Sequence, residues 1–321
     1  MDARERHAGE PCREPSLKEG TMVSHYAIQS HLGTGGMSEV YLAEDTSLKR
    51  KVALKFLLPR LAADPDYRRR FEREAAAMAA INHPHVAVIH EIGVYCDRPF
   101  FAMESIGGRN LKAIIEDGPL PPNEAAAIAI QVCDGLVAIH KHGLIHRDVK
   151  PSNIMIDESG RARILDFGII TASDGADETS TASLAGTPGY MSPEQIRGEP
   201  LTPASDLFSL GIVLYRMLTG RRPFEGAYDA ALKYAIINDS PIPMEAIRPE
   251  IPGRIIQVVS KLLKKNPGER YQDAGEASAD LRDAIAPVSA GASAAPLSRL
   301  GLSGDNFQSL FRHVIGNPFR F

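Results

Sequence analysis

After residue 25, short apolar runs rich in β-branched residues alternate with turn signals: Tyr26–Leu32, Val40–Glu44, Val52–Leu57, Val86–Val94 and Phe100–Glu104. This pattern predicts the strands of an antiparallel sheet. One stretch follows a different period. From Pro65 to Ile81, Phe71, Ala75, Met78 and Ala79 fall on one helical face, Pro65 suits a first turn, and Asn82-His83-Pro84 stops the helix. Gly107-Gly108 marks a hinge-like break after Glu104, and beyond it the chain reads as mostly helical. Glu124–His142 places Ile128, Val132, Leu136 and Ile139 at helical spacing, and Asp206–Leu218, Arg254–Lys265 and Ala274–Ile285 are further helices. A strand-rich insert, Leu144–Ile169, lies among them. The expected fold class is α+β, with a small sheet lobe over 26–104, a hinge at 104–108 and a larger helical lobe over 109–285.

The ends have a different texture. Residues 1–25 are polar and mixed in charge and read as a disordered leader without a signal peptide. Residues 286–302, rich in Ala, Ser, Gly and Pro, read as a flexible linker. Within 303–321, Phe307, Leu310, Phe311, Val314 and Ile315 take the spacing of an amphipathic tail helix. The tail carries few cations (Arg299, Arg312 and Arg320, with His313), so docking on protein is expected over contact with a membrane.

Composition narrows the function classes. A chain of 321 residues is long enough for two lobes, and its 44% hydrophobic and 24% charged residues are ordinary for a globular protein. The formal charge of −4 and the lack of a long Lys/Arg run argue against nucleic acid; Arg68-Arg69-Arg70 continues into Phe71-Glu72-Arg73-Glu74 and reads as a solvated helix face. The three cysteines, Cys12, Cys96 and Cys133, have neither metal-knuckle nor redox spacing, which suits a reducing compartment, and no apolar run is long enough for a membrane span. A cytoplasmic location is expected.

The chemistry-bearing strings come next. Gly33-Thr34-Gly35-Gly36-Met37-Ser38-Glu39-Val40 is a turn whose backbone can approach phosphates; it lacks the Gly-Lys-Ser/Thr of a Walker loop, and by itself such a string is more often an ordinary turn. Val52-Ala53-Leu54-Lys55 buries a lysine in an apolar strand unless the side chain snorkels out of an edge; Glu74 is the candidate partner. His146-Arg147-Asp148-Val149-Lys150-Pro151-Ser152-Asn153 resembles the catalytic loop of eukaryotic-like (Hanks-type) protein kinases. Asp166-Phe167-Gly168, Gly186-Thr187-Pro188-Gly189-Tyr190-Met191-Ser192-Pro193-Glu194, Asp206-Leu207-Phe208-Ser209-Leu210-Gly211 and Asn266-Pro267-Gly268-Glu269-Arg270 follow in the family's order. The wording is most similar to the bacterial PknB-like branch of serine/threonine kinases, over roughly residues 26–285.

That resemblance implies the bilobal protein-kinase fold, ATP and Mg²⁺ (with Mn²⁺ as a substitute), and protein substrates with Ser or Thr acceptors. It implies that Lys55 contacts the α and β phosphates and pairs with Glu74, that Asp148 takes or orients the substrate hydroxyl proton, and that Lys150 offsets charge near the γ-phosphate. Asn153 and Asp166 hold the metal. Leu32, Gly33, Gly35, Gly36, Val40, Ala53, Met103 and Met155 surround the nucleotide, and the backbone of Glu104 and Ile106 meets the adenine edge. Met78, Ile89, His146 and Phe167 match an apolar spine, while Glu194, Arg270 and Asp206 match architectural anchors.

For regulation, the resemblance implies that Arg147 pairs with a phosphate on the segment Thr171–Ala185, with Thr179 and Thr181 as the autophosphorylation positions and Ser180 and Ser183 behind them. A kinase–kinase pair would carry that reaction out in trans. Ile170-Thr171 departs from the branch's usual Ala-Arg, Ser38 replaces a third glycine, and Ser152 occupies a place where an acid often selects basic substrates. The rival readings are a catalytically silent nucleotide-binding scaffold and a small-molecule kinase. The first predicts loss of Lys55, Asp148 or Asp166, and the second lacks the peptide platform after Gly186.

Overall fold

The computed structural model of the chain describes residues 17–166 and 188–286. The first lobe is a six-stranded antiparallel sheet of β1 (Met22–Val23), β2 (Tyr26–Thr34), β3 (Ser38–Asp45), β4 (Arg50–Leu57), β5 (Ile89–Tyr95) and β6 (Arg98–Glu104), in the order β1-β2-β3-β4-β6-β5. Side chains alternate across a strand, and β4 uses both faces. Val52, Leu54 and Phe56 join Tyr26, Tyr41 and Phe100 in a core on one side. Ala53 and Leu57 turn to the other side and belong to the main core with Phe71, Ala75 and Met78. Lys55 has their parity, so its ammonium points to the face that carries the main helix.

That helix, α2 (Pro65–Ala79), begins at an Asp64 cap whose side chain accepts from the Asp66 N–H at 2.8 Å, with Pro65 in the first turn. It buries Phe71, Glu74, Ala75 and Met78, an i, i+3, i+4, i+7 stripe with one carboxylate in its middle. A short helix, α1 (Pro59–Ala62), precedes it.

The second lobe is helical, with α3 (Leu111–Glu116), α4 (Pro122–Lys141), α5 (Pro193–Arg197), α6 (Pro203–Thr219), α7 (Asp229–Asn238), α8 (Gly253–Leu262) and α9 (Ala274–Ile285). A small sheet of β7 (Gly108–Asn110), β8 (Ile154–Asp157) and β9 (Ala162–Ile164) lies at its start. Gly108 has φ +128°, and a Cβ there would sit 2.1 Å from the Ile156 carbonyl, so no other residue lets β7 pair with β8 this closely. Gly211 of α6 does the same between helices, since a Cβ would lie 2.8 Å from Leu262.

The architecture is the α+β, two-lobed one expected, with three adjustments. The sheet begins before Tyr26: Val23 pairs with Tyr26 through a tight turn in which Ser24 takes φ 54°, and Val23 is fully buried, so residues 17–25 are not a disordered leader. The fourth expected strand starts at Ile89 because Val86 is bridged in parallel to Ile164, with Ala87 N–H donating to the Ile164 carbonyl at 2.9 Å. The short elements α1, α3, α5 and β7 escape the periodicity reading because each offers too few apolar repeats, and α7 escapes it because it buries only Leu232, Ala235 and Ile236. Residues 1–16, and the expected linker and tail helix after 286, lie outside the described residues, as do Phe167, Gly168, Thr179, Thr181 and Thr187. Among the described residues no helix is long and apolar enough to cross a membrane.

One ion pair inside the sheet lobe has no counterpart in the pattern. Arg98 donates to Glu39 and to the Leu57 carbonyl (3.2 Å), and its guanidinium lies 5.1 Å from the Phe56 ring centroid. The Tyr41 hydroxyl donates to the other Glu39 oxygen at 3.0 Å. Both charged residues are under a tenth exposed. Removing one partner strands the other in the core, which costs about 3–5 kcal/mol, whereas an apolar pair of similar volume is close to neutral. Arg98→Ala is expected to lose about that much stability in urea unfolding, and Glu39→Leu with Arg98→Met to recover most of it. An Arg98→Ala protein as stable as wild type would show that the pair does not hold the lobe.

Candidate active site

Three charged groups meet on the inner face of the sheet lobe. Lys55 Nζ lies 3.3 Å from Glu74 Oε1 and 3.1 Å from Asp166 Oδ1, and 5.4 Å from the Phe101 ring centroid. Lys55 is 5% exposed and Glu74 fully buried. Strand parity aims the lysine, the α2 stripe supplies the glutamate, and the chain leaving β9 brings in the aspartate. Burial works against the Lys55 charge, but Asp166 and Glu74 outweigh it and hold the ammonium above its usual range. Burial pushes the Glu74 carboxyl up to about 7 despite Lys55, and Asp166 adds to the push. Glu74 Oε2 is buried with no hydrogen-bond partner among the described residues.

A second set sits on the loop between α4 and β8. Lys150 Nζ lies 2.6 Å from Asp148 Oδ2, and Asn153 Nδ2 donates to Asp148 Oδ2 at 2.9 Å and to the Asp148 carbonyl at 3.0 Å. Asp206, in the first turn of α6, fixes this loop by accepting from the His146 N–H (2.9 Å), the Arg147 N–H (2.8 Å) and His140 Nε2 (2.8 Å). His146 is fully buried and places Nε2 2.9 Å from the Leu165 carbonyl, and the Leu165 N–H donates to the Asn153 carbonyl at 2.8 Å. These bonds join the two sets. Arg147 (φ 68°) and Asp166 (φ 37°) both take left-handed backbone conformations, which cost of order 1–3 kcal/mol each and persist where the surroundings impose them.

Beside these charges is an apolar wall. Ala53 pairs with Met103 and Val40 with Lys55 across the sheet, and Met155 of β8 faces Asn110 in the small sheet. The Glu104 N–H is engaged with the Val88 carbonyl at 2.8 Å, and the Glu104 side chain accepts from Arg163 Nη1 at 3.0 Å. Leu32 is 56% exposed, and Ile106 is half-buried. Room is left over the β2–β3 turn: a Cβ on Gly33 would meet nothing within 4 Å, and one on Gly35 would meet the Ser38 carbonyl at 3.7 Å.

Lower in the helical lobe, Arg270 donates to both Glu194 oxygens at 2.7 and 2.9 Å. Burial would raise the Glu194 carboxyl, but this fork outweighs it and holds the group low. Gln195 Nε2 donates to the Arg147 carbonyl at 2.7 Å, tying α5 to the loop. The sequence reading missed Gln195, Arg163 and the Glu39–Arg98 pair. Gln195 stands within a motif string, but what it holds is 48 residues away.

Comparison with known proteins gives consistent matches. The family model described as protein kinase domain matches residues 26–279. Serine/threonine-protein kinase PknB of Mycolicibacterium smegmatis is 43% identical over 263 residues, which is 80% of this chain and 42% of that protein. PknB of Mycobacterium leprae is 43% identical over 262 residues, with the same coverage of 80% and 42%. The chain thus spans about two-fifths of the length of these relatives. The crystal structure of the Mycobacterium tuberculosis PknI kinase domain superposes with a TM-score of 0.66 at 28% identity, covering 84% of this chain and 100% of that one.

The Glu74 environment generates a pH prediction. Its folded value lies above the unfolded reference of 4.5, so its contribution to stability is fully present below about pH 4.5 and is lost as pH rises through about 7. Glu74→Gln keeps a neutral amide and removes this titration. Between pH 5 and 8, wild-type stability in urea is expected to fall relative to Glu74→Gln by on the order of 1–3 kcal/mol. Parallel profiles for the two proteins would contradict the assignment.

Proposed function

The chain belongs to the protein kinase family, and from that premise we propose that it is a serine/threonine protein kinase of the PknB-like bacterial branch, moving the γ-phosphoryl group of ATP to Ser and Thr hydroxyls of proteins. The carrying observation is the convergence of Lys55, Glu74 and Asp166 next to the linked set Asp148, Lys150 and Asn153. In this reading Lys55 neutralises the α and β phosphates and Glu74 keeps its side chain in place. The glycine turn covers the phosphates, in the room left above Gly33 and Gly35. Adenine lies between Val40 and Ala53 on one side and Met155 on the other, with Leu32 at the rim, Met103 behind and the Glu104 carbonyl and Ile106 backbone at its edge.

Transfer forms a bond between the acceptor oxygen and the γ-phosphorus and breaks the one to the ADP oxygen. Asp148 Oδ2 receives or orients the acceptor proton, and Lys150, held at 2.6 Å, offsets the charge that develops. Most of the required work is positioning, which the Asp206 bonds and the strained Arg147 backbone supply. The donor chemistry fits Mg²⁺. Asp166 offers carboxylate oxygens, and Asn153 turns its amide nitrogen to Asp148, which leaves its oxygen for a cation. Phosphate oxygens and water would complete the coordination of such an ion. Bound Mg²⁺, or Mn²⁺ in its place, supplies charge neutralisation across the phosphates.

Arg147 Nε is buried with no hydrogen-bond partner among the described residues, and a phosphate on Thr179 or Thr181 would satisfy it. This supports activation by autophosphorylation in trans within a transient kinase–kinase pair. Ser152 gives no anchor for basic residues upstream of the acceptor, so no strict arginine requirement is expected. An ATP-dependent reaction of this kind fits a cytoplasmic setting.

The test is transfer of labelled phosphate from ATP to a generic basic protein. Asp148→Asn and Lys55→Met are each expected to lower the rate about 10²–10⁴-fold while the fold is retained. Rates equal to wild type would overturn the assignment, and a wild type that binds ATP without transfer would favour a silent scaffold. Phosphosite mapping after incubation with ATP is expected to find Thr179 or Thr181 modified, with a rate that rises with protein concentration. Full activity with both threonines unmodified would remove the activation mechanism.

A further inference from the structure

The β2–β3 turn contains Gly35-Gly36, the backbone pair with the most conformational freedom to lose, and a Cβ on Gly35 would meet only the Ser38 carbonyl, at 3.7 Å. Its shape must therefore be held by hydrogen bonds. Within the turn, the Gly35 N–H donates to the Ser38 carbonyl at 2.7 Å. Two more bonds come from the corner where β4 runs into α1. The Leu58 N–H donates to the Met37 carbonyl at 2.9 Å, and Arg60 Nη2 donates to the Gly36 carbonyl at 2.8 Å. Two successive carbonyls are thus drawn to one corner. All described peptides are trans, and in a trans peptide the carbonyl and the following N–H point in opposite directions. The Met37 and Ser38 N–H groups therefore face away from the corner, side by side, the arrangement in which successive backbone donors form an anion-binding concavity.

Resting on the kinase reading above, we propose that Arg60 is a positioning residue for the nucleotide phosphates: its bond to Gly36 clamps the glycine turn so that the Met37 and Ser38 N–H groups are presented to the triphosphate. Leu58 makes its bond through the backbone, so it cannot be varied by side chain. Among the described residues Arg60 is the one side chain that bonds the backbone of residues 35–37. Its effect falls on ligands that carry phosphate, because Ala53, Met103 and the Glu104 edge lie on β4 and β6, and Val40, though on β3, is held by its pairing with Gly33 and Lys55 and not by the turn. Pro59 in the first turn of α1 sets the entry of the helix that carries the arginine, so the clamp is built on an ordered corner.

The test compares wild type, Arg60→Ala and Arg60→Gln, which keeps a donor without the charge. Calorimetric binding of Mg·ATP and of adenosine is measured for each, with kcat, KM for ATP and the unfolding midpoint. Arg60→Ala is expected to weaken ATP binding about three- to tenfold and raise KM to match, while adenosine affinity, kcat and the midpoint stay within about twofold or unchanged. Arg60→Gln is expected to recover part of the loss. ATP affinity unchanged in Arg60→Ala, or adenosine weakened as much as ATP, would overturn the clamp. If wild type binds ATP but transfers no phosphate, the kinase reading fails while the comparison of ATP with adenosine still decides the clamp.

Discussion

Everything in the candidate active site is arranged around one buried ammonium. Lys55 lies at 3.3 Å from Glu74 and 3.1 Å from Asp166, on a strand face that is otherwise apolar. A lone cation there is expensive; burial raises the Glu74 carboxyl despite Lys55, and the second carboxylate, Asp166, adds to the rise. The three groups come from β4, α2 and the chain after β9, so the cluster exists only when the helix is seated on the sheet and the strand preceding Asp166 is in place. The metal that accompanies a bound polyanion would offset the negative charge that the two carboxylates hold beyond the one ammonium.

The second constraint is the rigidity of the loop that carries Asp148. Asp206 accepts two consecutive backbone N–H groups and His140, His146 reaches the Leu165 carbonyl, and Gln195 holds the Arg147 carbonyl. These partners come from α4, α5, α6 and the end of β9. Together they impose the left-handed backbone of Arg147 and Asp166, which neither residue would adopt in isolation. The bidentate Glu194–Arg270 fork performs a similar service lower down, joining the start of α5 to the segment before α9. The helical lobe is thus a mould for one loop.

Part of the site was legible in the chain itself. The alternation in Val52-Ala53-Leu54-Lys55 gives the face of the lysine, and the spacing of Phe71, Glu74, Ala75 and Met78 gives the face of the glutamate. The strings around Asp148 and Asp166 carry the family resemblance, and the groups they name do converge. Short elements were less legible: α1, α3 and α5 carry too few turns for a periodic signal, α7 buries only three residues, and β1 depends on a Ser24 backbone conformation that composition does not reveal.

Local patterns alone determined the two-lobed α+β organisation, the parity of each strand and the apolar stripes of the longer helices, because these depend on residues a few positions apart. The pairings that set the chemistry were decided by tertiary structure: Glu39 with Arg98 and Glu104 with Arg163, each 59 residues apart, and Arg60 with Gly36, 24 apart. A polar side chain reveals at sequence level that it needs a partner, and in general not which one. Only the packing of the sheet, α2 and the helical lobe brings a particular donor and acceptor within hydrogen-bond distance.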